Sequence, residues 1–206
     1  NCGVVSIVQN PAPGTTALAG VHPVELIAED ASGNADTCTV EFTVLDVTPP
    51  EALCQPITVQ LDANGEGSII PIDIDGGSND ACGPVTLMVS QFEFDCSQVG
   101  MVDVTLTVTD TSSNASTCQA VVTVEDNVPP EAVCQDITID LDAGGIVTIA
   151  GSDVDGGSSD ACGPLVLSVL PNSFDCENVG PNTVTLTVED ANGNTATCEA
   201  TVTVQD

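Results

Sequence analysis

The sequence contains no lysine and no arginine, so almost nothing in it can carry a positive charge. Its 206 residues include 31 Asp and Glu and a single His, and the formal net charge is −31 at pH 7. Nucleic acids and anionic membrane surfaces bind proteins largely through Lys and Arg, and phosphate recognition uses the same cations. We therefore expect no nucleic-acid partner, no direct membrane insertion by this segment and no nucleotide chemistry.

Trp and Tyr are also absent, and only four Phe occur. Paired carboxylates can hydrolyse glycosides, but this chain has no Trp or Tyr to stack on a sugar and no nucleophile set beside a base. Its acidic residues also recur in every copy of an internal repeat, whereas a catalytic cleft seldom needs copying. We predict that the chain is not an enzyme and has no organic cofactor.

The cysteines reveal that internal repeat. Cys54, Cys82, Cys96 and Cys118 recur 80 positions later as Cys134, Cys162, Cys176 and Cys198. Copies at a fixed spacing indicate an array of small domains. We predict complete repeats at 47–126 and 127–206, and at 1–46 the C-terminal part of an incomplete repeat, as expected for a fragment of a longer array.

Disulfides explain these cysteines better than a zinc site does, because no CxxC occurs and His22 has no counterpart in the other copies. Four cysteines in one copy allow three pairings. The partial copy keeps only two of the four positions, which favours pairing those two with each other. The predicted disulfides are Cys2–Cys38, Cys82–Cys118, Cys162–Cys198, Cys54–Cys96 and Cys134–Cys176. Paired cysteines imply an oxidising, extracellular location.

Alternating apolar and polar residues predict short β-strands, for example at 57–61, 102–109, 120–124 and 184–188. Turn-forming residues lie between them, and no stretch has a useful 3.6-residue apolar period. The predicted fold class is all-β, with tandem immunoglobulin-like antiparallel β-sandwich domains. Paired prolines in the short junctions fix the backbone, so we expect the domains to stack end to end as a rod.

Two spaced motifs give the chain a family resemblance. Asp-x-x-Pro-Pro-x-Ala-x-Cys opens at 46–54 and 126–134, and Asp-x-x-x-Asn-x-x-x-Cys closes at 110–118 and 190–198. These resemble the hyalin-type, or HYR-like, immunoglobulin-fold repeat. The run 153–163, with the segments at 173–176 and 183–188, is similar to tandem repeats of giant cell-surface adhesins of gliding Bacteroidota. That resemblance implies secretion, a fibrous shape and attachment to a bacterial cell surface through another region.

Calcium is the cofactor that so acidic a chain suggests, because Ca²⁺ takes six to eight oxygen ligands. The main candidate is a glycine-rich loop, in which alternate carboxylates could converge on one ion. Its residues are Asp73, Asp75 and Asp80, repeated as Asp153, Asp155 and Asp160. The alternative is an Asp-rich turn, in which each carboxylate accepts a hydrogen bond from a backbone N–H.

A weaker calcium candidate lies at the junctions between repeats, where carboxylates could meet across the boundary. The alternative there is a solvated proline linker that binds nothing. The residues concerned are Asp46, Glu51, Asp110, Asp126, Glu131 and Asp190.

Three functions remain open. The leading one is a structural stalk or filament segment of a bacterial adhesin, whose partners are the neighbouring repeats of the same chain. The second is a binding module, in which each repeat grips a surface polysaccharide or protein weakly and the array multiplies the affinity. The third is a self-assembling extracellular fibre, in which strands from another copy complete the partial repeat.

Overall fold

The computed structural model describes residues 3–206 and has an all-β fold, as predicted. The described part contains fifteen strands and four short 3₁₀ helices, the helices at Pro71–Ile74, Cys96–Gln98, Gly151–Asp153 and Cys176–Asn178. The strands are β1 Val4–Asn10, β2 Gly20–Asp30, β3 Ala35–Val44, β4 Ile57–Gln60, β5 Glu66–Ser68, β6 Val85–Val89, β7 Glu93–Asp95, β8 Gly100–Asp110, β9 Ala115–Glu125, β10 Ile137–Asp140, β11 Ile146–Thr148, β12 Val166–Leu170, β13 Ser173–Asp175, β14 Gly180–Glu189 and β15 Thr195–Gln205.

The structural elements recur with the spacing of the cysteines. β4 begins at Ile57 and β10 at Ile137, and the helix at Cys96 has its counterpart at Cys176. Each strand predicted from alternation overlaps an observed one: 57–61 overlaps β4, 102–109 lies within β8, 120–124 within β9 and 184–188 within β14. The period-two pattern was a reliable signal because each of these strands buries one face.

Each of the two complete copies has a four-stranded and a two-stranded sheet, in the orders β4-β9-β8-β6 with β5-β7 and β10-β15-β14-β12 with β11-β13. The pairing is antiparallel except at one edge of each four-stranded sheet. β4 runs parallel to β9, and β10 runs parallel to β15, with Ile137 opposite Val202. Parallel neighbours require a long connection, and here most of the copy lies between the two paired strands.

The core of the last copy lies between its two sheets. Val184, Leu186 and Val188 of β14 are fully buried, and Phe174 of β13 packs in the same cluster from the smaller sheet. The residues between the buried ones are mostly Thr, because successive side chains of a strand point to opposite faces. Burying each such apolar side chain contributes roughly 1.5–3 kcal/mol, so this cluster is a main source of the fold's stability.

The chain divides into two compact units whose bounds cross the predicted repeats. One comprises the chain up to Cys54 together with Asp75–Met88 and Thr105–Cys118, and it contains the antiparallel sheet β1-β2-β3. The other comprises Gln55–Ile74, Val89–Val104 and Gln119–Asp206. Within residues 3–206, no helix has the length and apolar character needed to cross a membrane.

Candidate functional site at the disulfides and junctions

Two disulfides tie the opening segment of a copy to its last strand. Cys54 bonds Cys118 and Cys134 bonds Cys198, each with a Cα–Cα distance of 5.8 Å and a sequence separation of 64. The glycine-rich loop lies directly against the cysteine of the opening segment: the N–H of Gly156 donates to the carbonyl of Val133 at 2.7 Å. A Cβ on Gly156 would lie 3.0 Å from the Cys134 carbonyl oxygen, so glycine permits this close approach.

The third disulfide joins one copy to the next. Cys96 bonds Cys162 with a Cα–Cα distance of 5.0 Å and a separation of 66. Cys96 begins a 3₁₀ helix whose N-cap is Asp95, and Cys162 lies in a loop where its N–H donates to the Asp160 carboxylate at 2.7 Å. Gly65 has φ +75° beside the bond, and a Cβ there would collide with the Cys96 sulfur. The bond therefore links a helix start to a loop of the following copy.

The predicted pairings Cys54–Cys96, Cys82–Cys118, Cys134–Cys176 and Cys162–Cys198 are wrong. The prediction assumed that every bond closes within one copy, but Cys96 and Cys162 belong to different copies. Cys176 also lies beside the turn that ends at Gly145, with its sulfur 3.8 Å from the Gly145 carbonyl, whereas Cys134 meets β15 at Cys198. The predicted Cys2–Cys38 bond falls on Cys2, which lies outside the described residues.

Cys38, Cys82 and Cys176 are exposed and form no disulfide among residues 3–206. Desolvation, followed by the negative charges of Asp46 and Asp80, raises the pKa of the Cys82 thiol. A raised pKa leaves less thiolate at neutral pH, and the thiolate is the reactive form. Cys82 is therefore expected to react slowly with oxidants and alkylating reagents.

The aspartates of the predicted calcium loop each cap backbone groups. Asp73 accepts from the Ile70 N–H at 2.7 Å, Asp75 from Ser78 at 2.9 Å and Asp80 from Cys82 at 2.8 Å. The second copy repeats the pattern at 2.8, 2.9 and 2.7 Å, with Asp153, Asp155 and Asp160 as acceptors. The hydrogen bonds from Ser158 lower the pKa of Asp155. This geometry is that of the Asp-rich turn given above as the alternative.

The structure brings together carboxylates from both predicted calcium sites. Ligand atoms of Asp46, Asp80 and Cys82 lie within 4.8 Å of one another, as do those of Asp126, Asp160 and Cys162. Each group therefore unites one loop residue with one junction residue. The Cys162 sulfur is already in a disulfide, so in the second group two carboxylates remain as ligands. Two carboxylates are few for Ca²⁺, and carbonyls or water would have to supply the remaining oxygens.

The other junction candidates have separate roles. Asp190 closes the turn between β14 and β15, accepting at 2.8 Å from the N–H groups of both Asn192 and Asn194. Asp110 closes the equivalent turn before β9 by accepting from Asn114 at 2.8 Å. Glu51 and Glu131 pair through their backbones with Asn79 and Ser159, and neither belongs to the two groups of converging ligand atoms.

The turn asparagines are residues that the sequence analysis missed. The Asn192 side-chain amide donates to the Asp126 carboxylate at 2.7 Å, and that of Asn194 donates to the Asp126 carbonyl at 3.0 Å. Asn114 donates in the same way to the Asp46 carbonyl at 3.2 Å. The recurring Asp-x-x-x-Asn motif was the available signal. These amides fix the junction residues Asp46 and Asp126 to the turn of the copy that follows them.

Comparisons with known proteins give one family model and one curated relative to which the chain is similar. Residues 1–44 match the model of the HYR domain. The chain is similar to hyalin. It is 29% identical to hyalin of Strongylocentrotus purpuratus over 208 residues, covering 96% of this chain and 17% of that protein. The chain thus spans less than a fifth of the length of this curated relative.

Two solved structures align with most of this chain at low TM-scores. Titin domains I67–I69, in an E-to-A mutated variant, align with a TM-score of 0.42 and 12% identity over 90% of this chain and 75% of that one. Human mucin-like protocadherin EC1-2 aligns with a TM-score of 0.39 and 13% identity over 76% of this chain and 98% of that one. At these scores neither structure is a guide to function.

Proposed function

We propose that this chain is a disulfide-locked structural stalk segment of a large secreted surface adhesin, of the type found on gliding Bacteroidota. Similarity to hyalin and the three disulfides among residues 3–206 support an extracellular location. The chain's partners in this role are its own neighbouring repeats, and adhesion itself resides elsewhere in the parent protein.

The observation that carries the proposal is the placement of Cys54–Cys118 and Cys134–Cys198. Each bond connects the beginning of a copy to its last strand across 64 residues. A force applied to the two ends of the chain is carried by the disulfide, so the residues between its two cysteines are not extended. Because an extended chain spans about 3.5 Å per residue, each bond withholds roughly 220 Å of length. A segment built in this way resists lengthening even when its β-sheets open.

Single-molecule force extension of the full chain, pulled from its two ends, tests this proposal. The reduced chain should lengthen by roughly 450 Å more than the oxidised chain, the sum for two loops of 64 residues at about 3.5 Å per residue. Cys176→Ser is the matched control and should behave as the unmodified chain in both states. An oxidised chain that extends as far as the reduced one would overturn the proposal.

A binding role for the repeats makes a different prediction. Beads coated with the oxidised chain would then adhere to a polysaccharide or protein surface, and adhesion would grow with the density of the chain on the bead. For a stalk segment, coated and uncoated beads adhere equally. Density-dependent adhesion would replace the stalk proposal with the binding module.

One observation favours a fibre as a second candidate. Val4, Ile7 and Phe42 on the sheet β1-β2-β3 are 61%, 71% and 42% exposed, whereas the counterpart of Phe42, Val122, is fully buried. Strands of another copy could cover this apolar surface by strand addition. Sedimentation of the oxidised chain over a range of concentrations tests this: polymers that Phe42→Ser abolishes would support a fibre, and a monomer at all concentrations would exclude it.

The stalk proposal includes a calcium ion bound by the carboxylates of Asp126 and Asp160, which would stiffen the junction between two copies. Asp126 is 6% exposed and lies at the junction, so an ion there would add to the links between the copies. Ca²⁺ that binds only the folded state raises the melting temperature. We expect a Ca²⁺-specific rise, relative to Mg²⁺ and EDTA, that Asp160→Asn removes and the control Asp155→Asn preserves. Equal melting in all three conditions would remove calcium from the proposal.

A further inference from the structure

The surroundings of Cys96 are reproduced at Cys176. Both cysteines begin a 3₁₀ helix whose N-cap is an aspartate, Asp95 or Asp175. Their sulfurs lie 3.7 Å from the Gly65 carbonyl oxygen and 3.8 Å from the Gly145 carbonyl oxygen. The two glycines have φ +75° and +73°. The chain therefore builds the same cysteine site twice.

The two sites differ in what covers them. The Cys96 sulfur is bonded to Cys162 and lies 3.4 Å from the Ala161 carbonyl oxygen. Gly65 beneath it is buried and Cys96 half-buried. At the second site Gly145 is half-buried and Cys176 is exposed. The surface at Cys176 thus repeats the local geometry of the Cys96 site, with no disulfide formed at it among residues 3–206.

The incoming loop also occurs twice. Asp160-Ala-Cys-Gly163 supplies the cysteine that bonds Cys96, and Asp80-Ala-Cys-Gly83 has the same four residues around the exposed Cys82. The position 80 residues before Cys96 is Thr16, which has no sulfur to offer. Cys176 therefore corresponds to Cys96, and Cys82 corresponds to Cys162. Neither forms a disulfide among residues 3–206.

We propose that Cys176 is a covalent docking site for the Asp-Ala-Cys-Gly loop of another repeat. The bond forms between Cys176 Sγ and the sulfur of that loop. The two thiols lose two protons and two electrons, which reduce one molecule of a small disulfide oxidant such as oxidised glutathione to two thiols. The loop comes either from a repeat that follows in the same chain or from a second copy. The proposal extends the stalk proposal: a disulfide equivalent to Cys96–Cys162 would recur between successive repeats. Each repeat would then be joined to the next by a disulfide as well as by the backbone.

The decisive experiment appends a further copy of residues 127–206 directly after Asp206 and lets the product oxidise in a glutathione buffer. Free thiols are then labelled with a maleimide, and linked peptides are mapped without reduction. Trypsin has no cleavage site in a chain without Lys and Arg, so a protease that cuts at acidic residues is used. We expect Cys176 to lose its labelling and to be recovered linked to the appended counterpart of Cys162. A control in which that counterpart is Ser should restore labelling of Cys176.

Two further arms use the chain at its present length. In Thr16→Cys, Cys82 should be recovered in a peptide linked to the new cysteine, whereas the neighbouring Thr15→Cys should give no such linked peptide. In the unmodified chain, an oxidised dimer linked between Cys176 and Cys82 would identify a second copy as a source of the loop. Cys176 that stays fully labelled in the extended chain, while Cys96–Cys162 forms normally, would overturn the proposal. Disulfide mapping does not depend on extension under force, so this result can fail or succeed separately from the stalk.

Discussion

Removing one intra-copy disulfide should weaken the last copy by an amount that follows from the loop it closes. The double variant Cys134→Ser, Cys198→Ser opens a loop of 64 residues. In the chain-entropy description, closing a loop of this length stabilises the folded state by about 4 kcal/mol. Since each 1.4 kcal/mol is tenfold in an equilibrium constant, the unfolded fraction should rise about a thousandfold. The exposed Cys176 bears no bond in the described part, so its replacement should cost little.

Hydrogen exchange read by mass spectrometry is the suitable assay, because the chain has no Trp or Tyr for fluorescence and peptides resolve each copy. Amides of β14 and β15 should lose about three orders of magnitude of protection in the double variant. Cys176→Ser is the matched control, and its protection should equal that of the unmodified chain. A loss in Cys176→Ser comparable to that of the double variant would refute the reasoning, because Cys134 would then be paired with Cys176.

Three other perturbations have expected outcomes. Gly65→Ala should prevent the Cys96–Cys162 bond, since its Cβ would collide with a sulfur that the bond holds in place. Gly145→Ala should leave the three disulfides of the described residues intact, because the Cys176 thiol can rotate away. Disulfide mapping that finds Cys96–Cys162 in Gly65→Ala would contradict this. Desolvation is the largest single influence on Asp190 and raises its pKa, but the hydrogen bonds from Asn194, Asn192 and Gly193 together outweigh it and lower the pKa. A carboxylate of this kind adds stability above its unfolded pKa of about 4 that is lost as pH falls through the folded value, so melting curves of Asp190→Asn should show a shallower acid decline than the unmodified chain, and an identical decline would contradict this. Asn192→Ala removes a 2.7 Å donor to the buried Asp126 carboxylate and should destabilise the chain by about 1–3 kcal/mol in denaturant unfolding, more than Ser112→Ala at the equivalent position.

The strands could be predicted because local sequence determines them. Alternation of Val or Leu with Thr along β8 and β14 buries one face whichever partner strand lies alongside. The direction of pairing is a different matter. β4 and β10 have the same alternating pattern in a parallel or an antiparallel pair, so only the path of the chain between them decides, and a local pattern does not contain that path.

The disulfide pairing could not be derived from the spacing of the cysteines. A regular spacing does not determine whether the partner of a cysteine lies in the same copy or in the next one. Cys96 and Cys162 are separated by 66 residues, hardly different from the 64 that separate Cys54 and Cys118. A pairing scheme confined to single copies and one that crosses between them therefore fit the same sequence. The segments Asp80–Gly83 and Asp160–Gly163 have the same sequence, and Thr16 stands where a cysteine equivalent to Cys96 would be. These facts predict which cysteines pair only once one bond between copies is known.

The acidic residues were predicted in part. The junction hypothesis placed Asp126 beside Glu131 and the Asp110 or Asp190 turns, whereas the structure places its carboxylate beside that of Asp160, a residue of the glycine-rich loop. The glycine-rich loop was weighed as a calcium loop against an Asp-rich turn, and its carboxylates accept backbone hydrogen bonds as in the turn. Its glycines also allow its backbone to lie against the segment that carries Cys54 or Cys134. Glycine near aspartate accommodates either geometry, since both need a small residue in a tight backbone path.

Peptide mapping of the oxidised chain without reduction, with a protease that cuts at acidic residues, tests the central claim most directly. The claim is that two disulfides each join the opening segment of a copy to the last strand of the same copy. A third disulfide joins one copy to the next. The expected linked peptides contain Cys54 with Cys118, Cys134 with Cys198 and Cys96 with Cys162. Recovery of Cys54 with Cys96 and Cys134 with Cys176 would contradict the claim, because every bond would then lie within a single copy and the copies would be joined by the backbone alone.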